Sequence, residues 1–272
     1  MITWSRRDKE KTVSVNSIHG KNAVLYIGAA GAAMITCDKA AMDIKAATSI
    51  KAAMSIKAAM SIKALKDRHA GETIYVIASG ASLDAVDQKF FDGKVTVTVN
   101  AAHCDWPTTY AFAHHREDVQ SALDHGLTAV ASEYDCGILE RGLNQFDRPF
   151  FVYKHGEQRH TEDFDLTPIT DDEQWKNAEA LVICSSTLAE AIHFAAHLGA
   201  QAIVLCGVDC GPIDGRWNYR GYNHGGGTDP FHVRHTLHLI MAVVQVLRAR
   251  GVFVYSLNPW IGAKMEGHIL GR

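Results

Sequence analysis

SSTLAEAIHFAAHLGAQAIVLCGVD, Ser185 to Asp209, holds a helix, a turn and a buried strand in one uninterrupted stretch. Thr187 and Glu190 stand at the T-x-x-E spacing of a capping box, Leu188, Ile192, Ala195 and Leu198 recur at helical intervals, and Gly199 stops the run. The strand AIVLCGVD follows at once, without the polar alternation of a strand that has one wet face. Helix, short turn, buried strand is half of a crossover unit, the connection that joins parallel strands.

The same signature recurs upstream and downstream. IYVIAS (74–79), VTVTVN (95–100), TYAFAH (109–114), LTAVAS (127–132), FFVY (150–153) and VFVYSL (252–257) are short apolar runs separated by helical stretches. The pattern predicts an α/β, Rossmann-like domain over residues 64–272, with a mainly parallel sheet flanked by helices. Open sheets of this kind bind ligands beyond the carboxyl ends of their strands. Three segments fall there: the small-residue loop of Ser79, Gly80, Ala81 and Ser82, Asn100 after VTVTV, and Asp209 after IVLCGV. Small residues let backbone N–H groups approach an anion, so the loop reads equally as a phosphate cradle or as a tight turn.

Residues 1–63 follow other rules. Residues 1 to about 36 read as an irregular or β-rich arm, and from Lys39 the chain repeats every six residues, as KAAMDI, KAATSI, KAAMSI, KAAMSI. On a helix, six residues advance by about 600°, which spirals Lys39, Lys45, Lys51, Lys57 and Lys63 around the axis. As a strand, the isoleucines and lysines fall on opposite sides. Helix propensity of Ala, Met and Lys, together with ALKDRHAG ending at Gly71, favours a helix. The repeat is a spacer or a self-association element through which the chain forms homo-oligomers, since so regular a segment holds no unique polar constellation.

Bulk composition narrows the partners. A net charge of -3 gives no broad basic field for nucleic acid, so a small or polar ligand is expected. No apolar run reaches the length of about 18 residues that a membrane helix needs, and the first residues lack a signal-peptide core. The expected location is the cytoplasm. There the six cysteines, which show no CxxC pairing, serve as reduced structural thiols.

Two histidine groups invite chemistry. His193 and His197 flank FAA in the order HFAAH rather than HExxH, and read as a solvent-facing helix surface, not as metal ligands. Thr228-Asp229-Pro230 marks the start of the last long helix, in which Val233, Leu237, Ile240, Met241, Val244 and Leu247 form an apolar stripe. His232, His235 and His238 lie on the other side, where a first-turn imidazole is kept neutral and accepts protons. A metal site or a plain solvated face are the other readings of these three. Before that helix comes a loop with Tyr219 and Tyr222.

IYVIASGASLDAVDQKFFDGKVTVTVNAAH, followed downstream by SSTLAEAIHFAAHLGAQAIVLCGVDCG, resembles the pattern shared by bacterial sialyltransferases of the lipooligosaccharide type and the related MptE-like (DUF115) proteins. The resemblance spans roughly residues 64 to 260 and leaves the repeat outside. It implies that Gly80, Ser82 and Asn100 hold the nucleotide of a donor, with Ser79 beside them in the same loop. It also implies that Tyr219 and Tyr222 bind the donor phosphate, and that His235, or His232 one turn earlier, is the base. SGASL stands where the family has GNGPSL, a departure that bears on which donor is bound. The implied activity is a nucleotide-sugar-dependent glycosyltransferase with a CMP-type donor, a hydroxyl acceptor and no firmly implied cofactor. The MptE-like branch implies instead a pyrophosphokinase using ATP and Mg²⁺, with carboxylates grouped near Asp209 and Asp214. A third reading is a non-catalytic nucleotide-binding module that assembles through the repeat.

Overall fold

The computed structural model of the chain describes residues 2–7, 10–16, 22–27, 33–36, 59–133, 146–154, 165–182, 186–223 and 230–257. The chain forms two compact units, Met1–Met54 and Ser55–Arg272. In the first, β1 (Ile2–Arg7), β2 (Glu10–Asn16), β3 (Asn22–Ile27) and β4 (Ala33–Thr36) make an antiparallel sheet in chain order. The alternation of KTVSVN within β2 is what such a strand requires. The repeats up to Ala58, and with them the choice between helix and strand, lie outside the described residues.

The second unit is built on an eight-stranded sheet whose strands all pair in parallel. Its members are β5 (Ala59–Ser61), β6 (Thr73–Ile77), β7 (Val95–Val99), β8 (Tyr110–Ala113), β9 (Thr128–Ser132), β10 (Phe150–Tyr153), β11 (Ala202–Cys206) and β12 (Phe253–Ser256). The spatial order is β12-β11-β6-β7-β8-β9-β10-β5. From β6 the chain steps outward strand by strand to β10, then returns to lay β11 on the opposite flank of β6. Strand order therefore reverses between β6 and β11.

Both sheet faces are covered, as the apolar runs require. On β8, Ala111 and Ala113 join one core with α1 (Arg116–Asp124), while, past the short helices α2 (Thr167–Thr170) and α3 (Asp172–Asn177), Tyr110 and Phe112 join another with α4 (Thr187–His197) and α5 (Pro230–Ala249). The last long helix begins at Pro230, where the Asp229-Pro230 signal puts it, and buries Ile240, Val243, Val244 and Leu247.

Helix α4 departs from the expected one-sided stripe. Every residue from Ala189 to His197 is buried, because the sheet covers one side and α5 another. His193 and His197 thus lie in the core, not on a solvent face. The Val182 N–H donates to His193 Nδ1 at 3.0 Å, and His197 Nε2 donates to the Ile62 carbonyl at 2.8 Å. Burial drives the His193 pKa well below its ordinary value and that of His197 down to about 4, so both are neutral structural groups. The helix N-cap is Ser186, and Glu190 turns into the core instead of capping.

The end of the repeat also differs from the sequence expectation. Ala59–Ser61 pairs with β10 as an edge strand, Ile62–Leu65 makes one 3₁₀ turn, and Lys66–Gly71 is turn rather than helix. The backbone N–H groups of that turn go to carbonyls at the end of α4: Asp67 to His197 at 3.0 Å, His69 to Leu198 at 2.8 Å and Gly71 to Gly199 at 2.9 Å. Carbonyls that a helix end leaves unpaired are satisfied in this way. Gly199 sits at φ 89°, and a Cβ there would stand 2.9 Å from Ala70 Cα, so the crossing demands glycine.

Ile62 and Leu65 are fully buried in the second unit. A fragment starting at Ser55 is expected to unfold cooperatively in urea, whereas one starting at Lys63 loses β5 and Ile62 and has a lower midpoint. Ile62→Ala in the longer fragment should cost about 2–5 kcal/mol. Equal midpoints for the two fragments would show that the edge strand adds nothing to the fold.

Candidate functional site

Ligands of open parallel sheets bind at the carboxyl ends of the strands where strand order reverses, which here is between β6 and β11. Ser79–Ser82 follows β6 and Gly207–Asp209 follows β11. The two are locked together: Gly80 N donates to the Gly207 carbonyl at 2.8 Å, Ser82 N donates to Asp209 Oδ2 at 2.8 Å, and the Ser82 hydroxyl donates to Asp209 Oδ1. A Cβ on Gly80 would stand 2.3 Å from the Gly207 oxygen and 2.6 Å from Asp209 Oδ2. Glycine is required there by the approach of the two strand ends.

The lock changes the chemistry open to the loop. The amides of Gly80, Ser82 and Leu83 already have protein acceptors, the last being the Gly80 carbonyl at 3.1 Å. Asp209 occupies the concavity that these amides would offer an anion. It is almost fully buried, and burial pushes its carboxyl up from the ordinary value while the two Ser82 hydrogen bonds pull it down.

The loop leading towards α5 folds over this lock. Asn218 bridges to Gly80, the Ser79 hydroxyl donates to Asn218 Oδ1 at 2.9 Å, and Tyr219 N donates to the Ser79 carbonyl at 3.0 Å. Arg220 N donates to Asp84 Oδ1 at 2.8 Å, and the Arg216 guanidinium pairs with the same carboxylate. Partial burial raises the Asp84 pKa, but the hydrogen bonds from Arg220 and Arg216 outweigh it and hold the group below its usual value.

The two tyrosines of the loop have different roles. Tyr219 is buried against Trp106 at 5.8 Å between ring centroids, and its hydroxyl donates to Asp105 Oδ2 at 2.7 Å. Tyr222 is half-buried and hydrogen-bonds with Ser79. Burial, with Asp105 near the first and Asp118 near the second, raises both phenol pKa values, so both remain hydrogen-bond donors at neutral pH.

Asn100 follows β7, the strand next to β6, in a left-handed conformation, φ 51°, and Cys210 and Asp214 after β11 share that conformation at 49° and 48°. Non-glycine residues held there store strain, and such residues cluster at functional sites. His114 N donates to Asn100 Oδ1 at 3.5 Å, which joins the ends of β7 and β8. There His114 Nε2 meets Glu190 Oε2, and the Tyr153 hydroxyl at the end of β10 donates to the same oxygen at 2.5 Å.

The structure thus gathers Ser79, Gly80, Ser82, Asp209, Tyr219 and Tyr222 into one bonded set, with Asn100 on the neighbouring strand. His232 and His235 lie in the first two turns of α5. Sequence reasoning missed His114 and Tyr153, which stand at the ends of strands it had found. The carboxylate grouping that bound Mg²⁺ would need around Asp209 and Asp214 is not formed among the described residues. Asp209 is engaged by Ser82, Asp214 is exposed, and no cluster of three or more His, Cys, Asp or Glu is present there.

The chain matches no known family model, and no curated protein matches it.

The Asp209 lock predicts a pH signature. A carboxyl whose folded pKa is raised above its unfolded value loses stability as pH climbs from the ordinary aspartate range through the folded pKa. Asp209→Asn keeps both contacts, since its amide oxygen takes the Ser82 N–H and its NH₂ donates to the Ser82 hydroxyl. The stability of the wild type relative to this variant is expected to fall across that window in urea titrations at successive pH values. A difference independent of pH would contradict the raised pKa.

Proposed function

We propose that the second unit is the catalytic domain of a nucleotide-sugar-dependent glycosyltransferase of the sialyltransferase-like kind, binding its donor between the ends of β6 and β11. The observation that carries this reading is the reversal of strand order, with the residues that the resemblance assigns to the donor bonded together around it. The strained Asn100 beside them adds support.

On this reading the reaction is a direct displacement. A histidine takes the proton of the acceptor hydroxyl as the acceptor oxygen attacks the donor sugar and the nucleotide departs on its phosphate. The resemblance gives the base as His235 or His232. Because the Gly80 and Ser82 amides are committed to Gly207 and Asp209, a side-chain hydroxyl takes their part in stabilising the leaving phosphate. On this reading Tyr222 supplies it, while Ser79, whose proton goes to Asn218, and Tyr219, bonded to Asp105, brace the loop.

A ligand that binds only the folded state stabilises it by RT ln(1 + [L]/Kd), about 2.7 kcal/mol at a hundred times Kd. For a domain of this size that raises Tm by roughly 5–10 °C. CMP is expected to produce such a shift in a thermal-unfolding panel with UDP, ADP, ATP and a pterin. A shift from ATP with magnesium alone would favour the pyrophosphokinase branch, and no shift with any nucleotide would contradict nucleotide binding altogether.

A further inference from the structure

We propose that Arg220 receives the phosphate of the nucleotide donor, held beside the β6 loop by Asp84 and Arg216. The inference deepens the transferase reading and rests on it for the nucleotide, while the arrangement of charge stands without it.

Asn218 bridges to Gly80, and the arginines two residues to either side of it both reach Asp84, two positions after Ser82. Arg216 makes the close pair with Asp84 Oδ2, and Arg220 Nε stands 3.8 Å from the same oxygen. Neither guanidinium has another carboxylate partner among the described residues. Two neighbouring carboxylates are engaged elsewhere, Asp209 by Ser82 and Asp105 by Tyr219. A guanidinium is always charged in a protein. One carboxylate therefore faces two cations, and one positive charge is left over beside the end of β6.

The fold does not need that second cation. The structural bond at position 220 is made by the backbone, whose N–H donates to Asp84 Oδ1 at 2.8 Å, a bond that any residue except proline supplies. The Arg220 side chain is 83% exposed, against 35% for Arg216 and 22% for Asp84, and it brings like charge next to Arg216. A long, exposed ion pair of this kind adds little to stability. The backbone that carries it is nevertheless held on both sides. Tyr219 N donates to the Ser79 carbonyl at 3.0 Å, the Tyr219 hydroxyl is bonded to Asp105, and Tyr222 N donates to the Tyr219 carbonyl at 3.3 Å. A cation on a fixed turn, next to the loop that the resemblance assigns to the donor, fits an anion, and the planar fork of a guanidinium matches two phosphate oxygens.

The charge of the donor changes during the reaction. As the acceptor oxygen attacks, the bond between the anomeric carbon and the phosphate oxygen breaks and its electron pair leaves with the phosphate. The phosphate of a CMP-activated sugar carries one negative charge, and that of the departing CMP about two at neutral pH. Arg220 neither gives nor takes a proton in this step. Its fixed charge faces the charge that develops, so it holds the leaving group more tightly than the intact donor.

The test uses the full chain at low ionic strength, where an exposed charge is least screened. CMP and cytidine differ by the phosphate alone, and wild type is expected to bind CMP the more tightly. Arg220→Gln should weaken CMP by about 10–100-fold, leave cytidine unchanged and keep the wild-type Tm. Arg220→Lys should restore part of the loss, since a lysine keeps the charge without the fork. Hydrolysis of CMP-activated sialic acid at saturating donor should slow by about 10²-fold in Arg220→Gln. Equal CMP affinity in wild type and Arg220→Gln, or an equal loss for cytidine, would overturn the proposal. Inorganic phosphate, followed by the Arg220 Nε–H resonance, separates it from the transferase reading. A saturable shift with phosphate but no binding of any nucleotide would overturn that reading and leave the anion site standing. Nucleotide binding that leaves Arg220 unmoved would do the reverse.

Discussion

Enclosure of α4 on all sides is the constraint on which the second unit depends. A helix with no wet face must satisfy every polar group that it carries inside, and α4 brings in Glu190, His193 and His197. Each is answered from a different part of the chain: His193 by Val182, His197 by the Ile62 carbonyl at the close of the repeat, Glu190 by the ends of β8 and β10. Its final carbonyls are answered by the turn that precedes β6. Removing such a partner leaves a buried group unpaired at about 1–3 kcal/mol, so the helix ties the edge strand, the first central strand and the carboxyl edge into one unit.

From that arrangement the meeting of the two strand ends follows. With α4 fixed, β11 must lie against β6, and the segments leaving the two strands meet at Gly80, Gly207 and Asp209. The close approach that looked in sequence like room for a phosphate is filled by the protein's own carboxylate. The polar groups along this edge are side chains: hydroxyls after β6, a left-handed asparagine after β7, and an imidazole after β8 beside a buried acid.

Much of this was legible before any coordinates. The apolar runs at 74–79, 95–100, 109–114, 127–132, 150–153, 202–209 and 252–257 each contain a strand, because strands buried on both faces have no other composition available. Asp229-Pro230 marked the start of α5 because a proline lacks the N–H that a first turn does not use. The failures are equally physical. Thr187 and Glu190 have capping-box spacing, but nothing in that spacing tells whether a glutamate faces water or a histidine 76 positions away. The histidines of HFAAH looked solvated because their partners, Val182 and Ile62, are backbone groups that carry no sequence signal. The strand Ala59–Ser61 was hidden inside a helix-favouring repeat, since an edge strand of three residues is defined by its neighbour rather than by its own propensity.

The central claim is that the carboxyl edge from β11 through β6 to β8 receives the ligand. Titrating CMP into the ¹⁵N-labelled chain and mapping amide shift changes tests it most directly. The account predicts the largest changes at Ser79–Ser82, Asn100, His114 and Asp209, with Val182 and His197 unmoved. Saturable binding whose shift changes leave that edge untouched would contradict it.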